Sequence, residues 1–277
     1  MGSLKRENNS FTADETETLE VMMQTHFPNS ILVNKNNLPI SDNTTGQNNT
    51  RMNTEIELST NMSNASLLTS TIDGKNIAEE IFTVRKVEWA INSFEHFESP
   101  GMDGIYPAFI QRSNGLLTST LTKMFKASFM LSHVPSTWRK VRVVFIPKAN
   151  KKDRTSPKSF RPISLSSIML KIMEKLIDHF IKSKYLINNP LNKNQFAYQS
   201  GKSTVTALHT LVTKIEKSFD AKEILLASFL DIEGAFDNAS HNSMKETMLK
   251  RGFDICIVTW ISEMLSKREI SAKLVYQ

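Results

Sequence analysis

Apolar residues recur at helical spacing through most of the chain after residue 76. VRKVEWAINSF (84–94) places its two valines, Ala90, Ile91 and Phe94 on one helical face. The same kind of spacing predicts helices at 18–30, 115–134, 166–184, 203–219, 241–251 and 255–267. Most of the folded chain is therefore expected to be helical.

Three segments have the character of strands instead. VRVVFIP (141–147) is rich in β-branched residues and ends at a proline, and EILLASFLDI (223–232) is a continuous apolar run typical of a buried strand. A last strand is predicted to begin near Glu269. The mixture predicts an α+β fold in which the helices pack around a small sheet.

The polar composition divides the chain into three parts. Residues 1–27 contain a short helical segment, and residues 28–75 are dominated by Asn, Ser and Thr without apolar periodicity, which predicts a disordered connector. The periodic pattern fills residues 76–277, interrupted at ESPGMDGI (98–105) by a loop that needs the backbone freedom of glycine.

Positive charge is concentrated in the periodic part of the chain. The net charge is +6, but residues 1–75 carry −4 and the remainder carries +10. Between Gly104 and Met173 the sequence has thirteen basic residues and one acid, Asp153. A solvated face usually mixes both signs, so this excess favours a polyanionic partner.

Two of these cations flank a hairpin-like element. Lys148 comes directly after the 141–147 strand, and Arg161 precedes a turn fixed by Pro162. A pair of cations placed in this way suits the β- and γ-phosphates of a nucleotide. QSGKST (199–204) resembles the end of a phosphate-binding P-loop, but Phe196 stands where that motif needs its first glycine.

Cysteine usage and the apolar runs limit the cellular setting. Cys256 is the single cysteine, which excludes an internal disulfide framework and fits a reducing, intracellular compartment, cytoplasmic or nuclear. The N-terminus is polar where a signal peptide would be apolar, and no apolar run is long enough to span a bilayer. Neither a membrane nor a homo-oligomer is indicated as a partner.

SFLDIEGAFD (228–237) places a carboxylate at the end of the second predicted strand. Asp231 is suited to hold a divalent cation such as Mg²⁺, the following turn can direct backbone N–H groups at a triphosphate, and Phe236 would face the sugar. Simpler interpretations stay open, since Asp237 or Asn238 could cap the next helix and Phe236 could belong to the core.

The order of several motifs resembles the reverse transcriptases of non-LTR (LINE-type) retrotransposons, in particular the jockey-like group. The motifs are THFP (25–28), AINSFEHFESPGMDGIYPAFIQ (90–111), VPSTWRKVRVVFIPKANKKD with SFRPISL (134–165), NQFAYQSGKSTVTALH (194–209), FLDIEGAFDNAS (229–240) and WISEMLSKREISAKL (260–274). The resemblance implies a right-hand polymerase fold with fingers and an incomplete palm on a small antiparallel sheet. It also implies an RNA template, a DNA primer and deoxynucleoside triphosphates as partners.

The resemblance also implies a role for each candidate residue. Asp231 would be the first catalytic, metal-binding aspartate, and Phe236 would exclude the ribose 2′-hydroxyl. The incoming triphosphate would be held by Lys148 and Arg161, and the residues near the template would be Gln195, Gly201 and Lys202. Glu98 departs from the pattern, because such elements usually carry a lysine before SPG.

The sequence contains no Asp-Asp pair and no glycine after Gly252. In the resembled family an Asp-Asp pair in motif C completes a two-ion Mg²⁺ site, and a glycine-rich motif B lies between. We therefore expect the polymerase segment to be truncated before motifs B and C and inactive by itself. The alternatives are a non-catalytic module that binds RNA or an RNA–DNA hybrid, and a decayed element copy without function.

Overall fold

The computed structural model describes residues 3–28, 30, 64–113, 115–149, 151–232, 234–236 and 238–273, without the side chains of 64–72 and 273. The helices in these ranges are α1 (Glu15–His26), α2 (Asn64–Ile81), α3 (Val84–Asn92), α4 (Pro107–Gln111), α5 (Thr118–Met130), α6 (Ser136–Arg139), α7 (Ile168–Asn188), α8 (Thr204–Asp220), α9 (His241–Lys250) and α10 (Ile255–Ser266). The strands are β1 (Lys140–Pro147), β2 (Phe160–Leu165) and β3 (Glu269–Lys273). Within these ranges no helix combines the length and apolar character of a membrane span.

The described residues form two compact units. The small unit contains residues from 1–75 and 145–162, and the helical unit contains 76–144 and 163–273. Most of the predicted connector, 28–75, lies outside the described residues. α2 begins at Asn64, so the predicted boundary at residue 76 lies inside that helix.

The predicted helices are confirmed, and their ends follow local chemistry. Ser203 caps α8 with a reciprocal pair of bonds to Thr206, and Gly252 adopts a φ of 75° directly after α9. In α3, Val87, Ala90 and Ile91 are buried as the helical spacing predicted. Local periodicity and capping were therefore sufficient to locate these elements.

The sheet has the strand order β2-β1-β3, with β1 in the centre. β1 and β3 run parallel, with Lys140 opposite Glu269 and Val144 opposite Lys273. The prediction of an antiparallel sheet is wrong for this pair. A hairpin turn forces antiparallel pairing, but the long helical connection between β1 and β3 places no such constraint on their direction.

Aromatic and aliphatic side chains fill the core of the helical unit. Phe82 packs against Phe125 and Phe129 with ring-centroid distances of 6.4 and 5.6 Å, and all three are fully buried. Trp260 of α10 is buried as well, and its indole N–H donates to the hydroxyl of Ser128 at 3.4 Å. Burial of this apolar surface is the main term that holds α2, α5 and α10 together.

Ion pairs lie between segments that are distant in the sequence. Arg139 contacts Glu263 at 3.3 Å, and Arg268 contacts Glu174 at 3.1 Å. Burial raises the pKa of Glu174, and the neighbouring Arg268 only partly opposes that effect. Glu98, which departs from the family pattern, pairs with Lys171 at 3.6 Å, so the residue has a structural partner in this chain.

The predicted buried strand at 223–232 is absent. Residues 223–232 are irregular, and Ile224, Leu226 and Leu230 are 100%, 94% and 93% exposed. A strand must exchange backbone hydrogen bonds with a neighbour, and in the described ranges no strand lies beside this segment. The apolar run alone could not reveal whether such a neighbour exists.

Substitution of two leucines should distinguish the buried core from the exposed apolar segment. Leu170 is fully buried in α7, so Leu170→Ala should lower the free energy of unfolding by about 2–5 kcal/mol. Leu230→Ala should change it by less than about 0.5 kcal/mol. Urea unfolding of both variants measures the difference, and equal losses would show that residues 223–232 are buried.

Gly101 should tolerate no side chain. A Cβ at this position would lie 2.7 Å from the carbonyl carbon of Ser166 and the amide nitrogen of Ser167, the N-cap of α7. Gly101→Ala should therefore destabilise the chain by about 1–3 kcal/mol in urea unfolding. Gly104→Asn is the matched control, because Gly104 has open space around it and asparagine tolerates its φ of 69°. Equal stability of the two variants would contradict the close approach.

Candidate functional site

Backbone and side-chain bonds fix Lys148 at the end of β1. Its amide N–H donates to the carbonyl of Ser159 at 2.8 Å, and its Nζ donates to the carbonyl of Lys158 at 2.7 Å. Both carbonyls belong to a 3-10 turn, Pro157–Ser159, that leads into β2. An ammonium group has three donors, so this contact leaves two N–H groups of Lys148 for another ligand.

Arg161 lies on β2 with its side chain exposed, one residue after the buried Phe160. The backbone bond from Lys148, just after β1, to Ser159, just before β2, confirms that Lys148 and Arg161 lie on one hairpin. The predicted turn at Pro162 is wrong, since this residue lies within β2. A proline fits there because β2 is an edge strand, where a missing N–H costs little.

The loop between the two strands carries the densest positive charge in the small unit. Lys151, Lys152 and Arg154 are exposed. Asp153 accepts bonds from the hydroxyl and the amide of Thr155 at 2.7 and 2.8 Å, and these bonds lower the pKa of its carboxyl group. The one acid of the loop thus organises its backbone.

Residues 192–202 form a second loop, closed by a lysine. The Nζ of Lys202 donates to the carbonyls of Lys193 at 2.6 Å and Gln195 at 2.9 Å, and lies 5.3 Å from the ring centroid of Phe196. Gly201 has a φ of 75°, which favours glycine. The structure therefore brings Gln195, Gly201 and Lys202 together, and two of the three Lys202 donors maintain the loop.

Asp231 lies on the irregular segment and not at the end of a strand, which corrects the prediction. Its side chain is exposed, and Oδ1 accepts the amide N–H of Ile232 at 3.0 Å. Phe236 is 78% exposed, so it is not a core residue here. Asn238 bonds to the carbonyl of Gly234, while Ser240 is the N-cap of α9. Asp237 lies outside the described residues.

The seven candidate residues are divided between the two units. Lys148 and Arg161 belong to the small unit, and the helical unit contains Gln195, Gly201, Lys202, Asp231 and Phe236. Sequence reasoning missed the contacts that position Lys148, because the carbonyls of Lys158 and Ser159 carry no side-chain signature. Among the described residues, no three His, Cys, Asp or Glu side chains come close enough to hold a metal ion.

Residues 146–277 match the family model of the reverse transcriptases, described as RNA-dependent DNA polymerases. This segment includes all seven candidate residues. A reverse transcriptase segment implies a polymerase fold, and the observed mixture of helices with a small sheet agrees with it.

The chain is also similar to individual proteins of insect mobile elements. The chain is 31% identical to a probable RNA-directed DNA polymerase from transposon BS of Drosophila melanogaster, over 58% of this chain and 18% of the relative. It is 33% identical to a probable RNA-directed DNA polymerase from transposon X-element of the same species, over 52% of this chain and 16% of the relative. It is 27% identical to the RNA-directed DNA polymerase from mobile element jockey of Drosophila melanogaster, over 57% of this chain and 17% of the relative.

The predicted resemblance to reverse transcriptases of non-LTR retrotransposons is confirmed over about half of the chain. The matches cover less than a fifth of the length of each of these three relatives.

Proposed function

We propose that this chain supplies part of an RNA-directed DNA polymerase of a non-LTR retrotransposon, with template-directed DNA synthesis on RNA as the activity of the complete protein. The observation that carries the proposal is the family match over residues 146–277. In this proposal the basic hairpin belongs to the fingers of a right-hand fold, and the segment around Asp231 belongs to the palm. The names of the relatives favour a polymerase over a non-catalytic binding module.

Lys148 and Arg161 are the proposed ligands of the incoming deoxynucleoside triphosphate. The hairpin supports this role, since it fixes the backbone of Lys148 and leaves the Arg161 side chain exposed. A guanidinium can bind a phosphate through two parallel N–H donors, and an ammonium adds a point charge. Together they would neutralise part of the triphosphate charge.

Phe236 is the proposed selector of deoxyribose. Its ring is exposed on a turn in which the amide N–H of Asn238 donates to the carbonyl of Gly234 at 2.9 Å. Gly234 has a φ of 62°, which lets the chain reverse direction just before the ring. An exposed aromatic ring at this position can reject a 2′-hydroxyl by steric exclusion.

Gln195, Gly201 and Lys202 are the proposed template-side residues. The bonds of Lys202 to two carbonyls support a role in shaping the loop, with one N–H left for a phosphate. The proposed partners are accordingly an RNA template and a DNA primer, in a reducing compartment of the cell, cytoplasmic or nuclear.

Asp231 is the proposed first metal ligand, with Mg²⁺ as the proposed ion. When bound, a pair of Mg²⁺ ions activates the primer hydroxyl and stabilises the leaving oxygen. The residues described here do not fit such a pair, because Asp231 is exposed and no cluster of three potential ligands accompanies it. The proposal therefore includes no metal-dependent step for these 277 residues.

The charge of the hairpin loop should dominate binding to RNA. Neutralising Lys151, Lys152 and Arg154 to Gln should weaken binding of a single-stranded RNA. It should also reduce the slope of log affinity against log salt by about 2, from three lost phosphate contacts. Fluorescence anisotropy between 50 and 200 mM KCl measures the slope.

The matched control for this triple variant neutralises Lys214, Lys217 and Lys245. These lysines are exposed and lie outside the segment between Gly104 and Met173 in which basic residues are concentrated. The control should leave the salt slope nearly unchanged. An equal reduction in both variants would show that binding follows net charge alone and would contradict a dedicated RNA surface on the hairpin.

Residues 1–277 should not extend a DNA primer on an RNA template with deoxynucleotides and Mg²⁺. The physical reason is the ligand count, since one aspartate cannot hold two ions, and the chain has no Asp-Asp pair. A primer-extension gel measures the product, with a complete reverse transcriptase as positive control. Extension that is lost in Asp231→Asn and kept in Asp220→Asn would overturn this account of the metal site.

A further inference from the structure

The N-terminal segment, residues 3–26, is folded through its own contacts. The amide of Leu4 donates to the hydroxyl of Thr12, and the amide of Thr12 donates to the carbonyl of Leu4, both at 2.9 Å. The hydroxyls of Thr12 and Thr18 lie 2.8 Å apart, which joins this bridge to α1. Leu4 and Met22 are fully buried. The segment is thus an ordered part of the small unit.

One end of this segment holds the basic loop. The amide of Lys5 donates to the carbonyl of Thr155 at 2.8 Å. Thr155 is also the residue that Asp153 holds through its hydroxyl and amide. The backbone of the loop is therefore bound from both sides, by its own aspartate and by a residue 150 positions earlier in the chain.

The other end of the segment holds the turn that precedes β2. His26, the last residue of α1, has its Nε2 3.1 Å from the carbonyl of Pro157, and this nitrogen must carry a proton because a carbonyl only accepts. The His26 ring lies 5.6 Å from the ring of Phe145 in β1. His26 therefore contacts both flanks of the hairpin.

The turn connects His26 to the proposed phosphate ligand. Pro157 begins the 3-10 turn, and the next two carbonyls, those of Lys158 and Ser159, accept the Nζ and the amide of Lys148. A displacement of Pro157 would move both acceptors of Lys148. The His26–Pro157 contact therefore links the end of α1 to the turn that holds Lys148.

We propose that His26 and the N-terminal segment form a positioning element. It holds Lys148 and Arg161 where both can bind a triphosphate. This inference rests on the proposed function of the two cations. His26 acts through the Pro157–Ser159 turn and does not contact the ligand. The segment before the polymerase motifs would thus contribute to nucleotide binding, and not only to stability.

The test uses the full chain and two substitutions that differ in one donor. His26→Leu removes the N–H to Pro157, and His26→Gln keeps an N–H on a side chain of similar reach. The affinity for inorganic tripolyphosphate is measured by calorimetry. This probe can bind to Lys148 and Arg161 without primer, template or metal. We expect Lys148→Met to abolish most binding and His26→Leu to weaken it about three- to tenfold, with recovery in His26→Gln. His209→Leu, exposed on α8, is the matched control and should bind normally.

Amide hydrogen exchange gives a second readout that does not depend on the ligand. His26→Leu should speed exchange of the Lys148 amide about tenfold, while amides in α7 keep the wild-type rate. Unchanged exchange at Lys148, or equal tripolyphosphate affinity in His26→Leu and the wild type, would overturn the positioning role. Failure of the proposed phosphate site would look different, because tripolyphosphate binding would then be insensitive to Lys148→Met and Arg161→Met.

Discussion

Backbone hydrogen bonding of β1 is the constraint on which the arrangement of the candidate site depends. β1 is the central strand, with β2 on one side and β3 on the other, and its alternate residues Val141, Val143 and Phe145 are buried. Its pairing with β3 runs from Lys140 to Val144, and past the end of the strand the amide of Lys148 bonds to the carbonyl of Ser159. This bond holds the backbone of Lys148, and β2 carries Arg161.

The same constraint explains the largest difference from the expected structure. Residues 223–232 have the composition of a strand, but without a neighbouring strand in the described ranges they gain nothing by becoming extended and regular. Apart from the half-buried Leu225, their apolar side chains stay exposed, and α8, which precedes them, buries none of its residues. Asp231 is therefore held by local contacts only. In the described residues the backbone and side chain of Lys148 are both held by hydrogen bonds, whereas Asp231 bonds to the neighbouring amide of Ile232.

Acidic residues in the chain illustrate how charge and structure are combined. Asp153 accepts hydrogen bonds within the loop between β1 and β2, and Glu98 pairs with Lys171. Burial raises the pKa of Glu174, and Arg268 opposes part of that rise. The cations Lys151, Lys152 and Arg154 stay exposed in the same loop. The loop therefore keeps an excess of positive charge around one exposed aspartate, and that excess suits a polyanion.

The sequence by itself predicted α1, α3, α5 and α7 to α10, two of the three described strands, and the similarity to reverse transcriptases. Helical spacing and the Ser203 cap depend on neighbours within a few residues, and the order of the motifs carried the similarity to reverse transcriptases. The tertiary structure alone decided the parallel pairing of β1 with β3, the exposure of Leu226 and the contact of His26 with Pro157. Each of these depends on partners far apart in the chain, 131 residues in the case of His26, or on whether a partner is present at all. Local sequence patterns carry no information about such distant partners, so these contacts could be seen only in the tertiary structure.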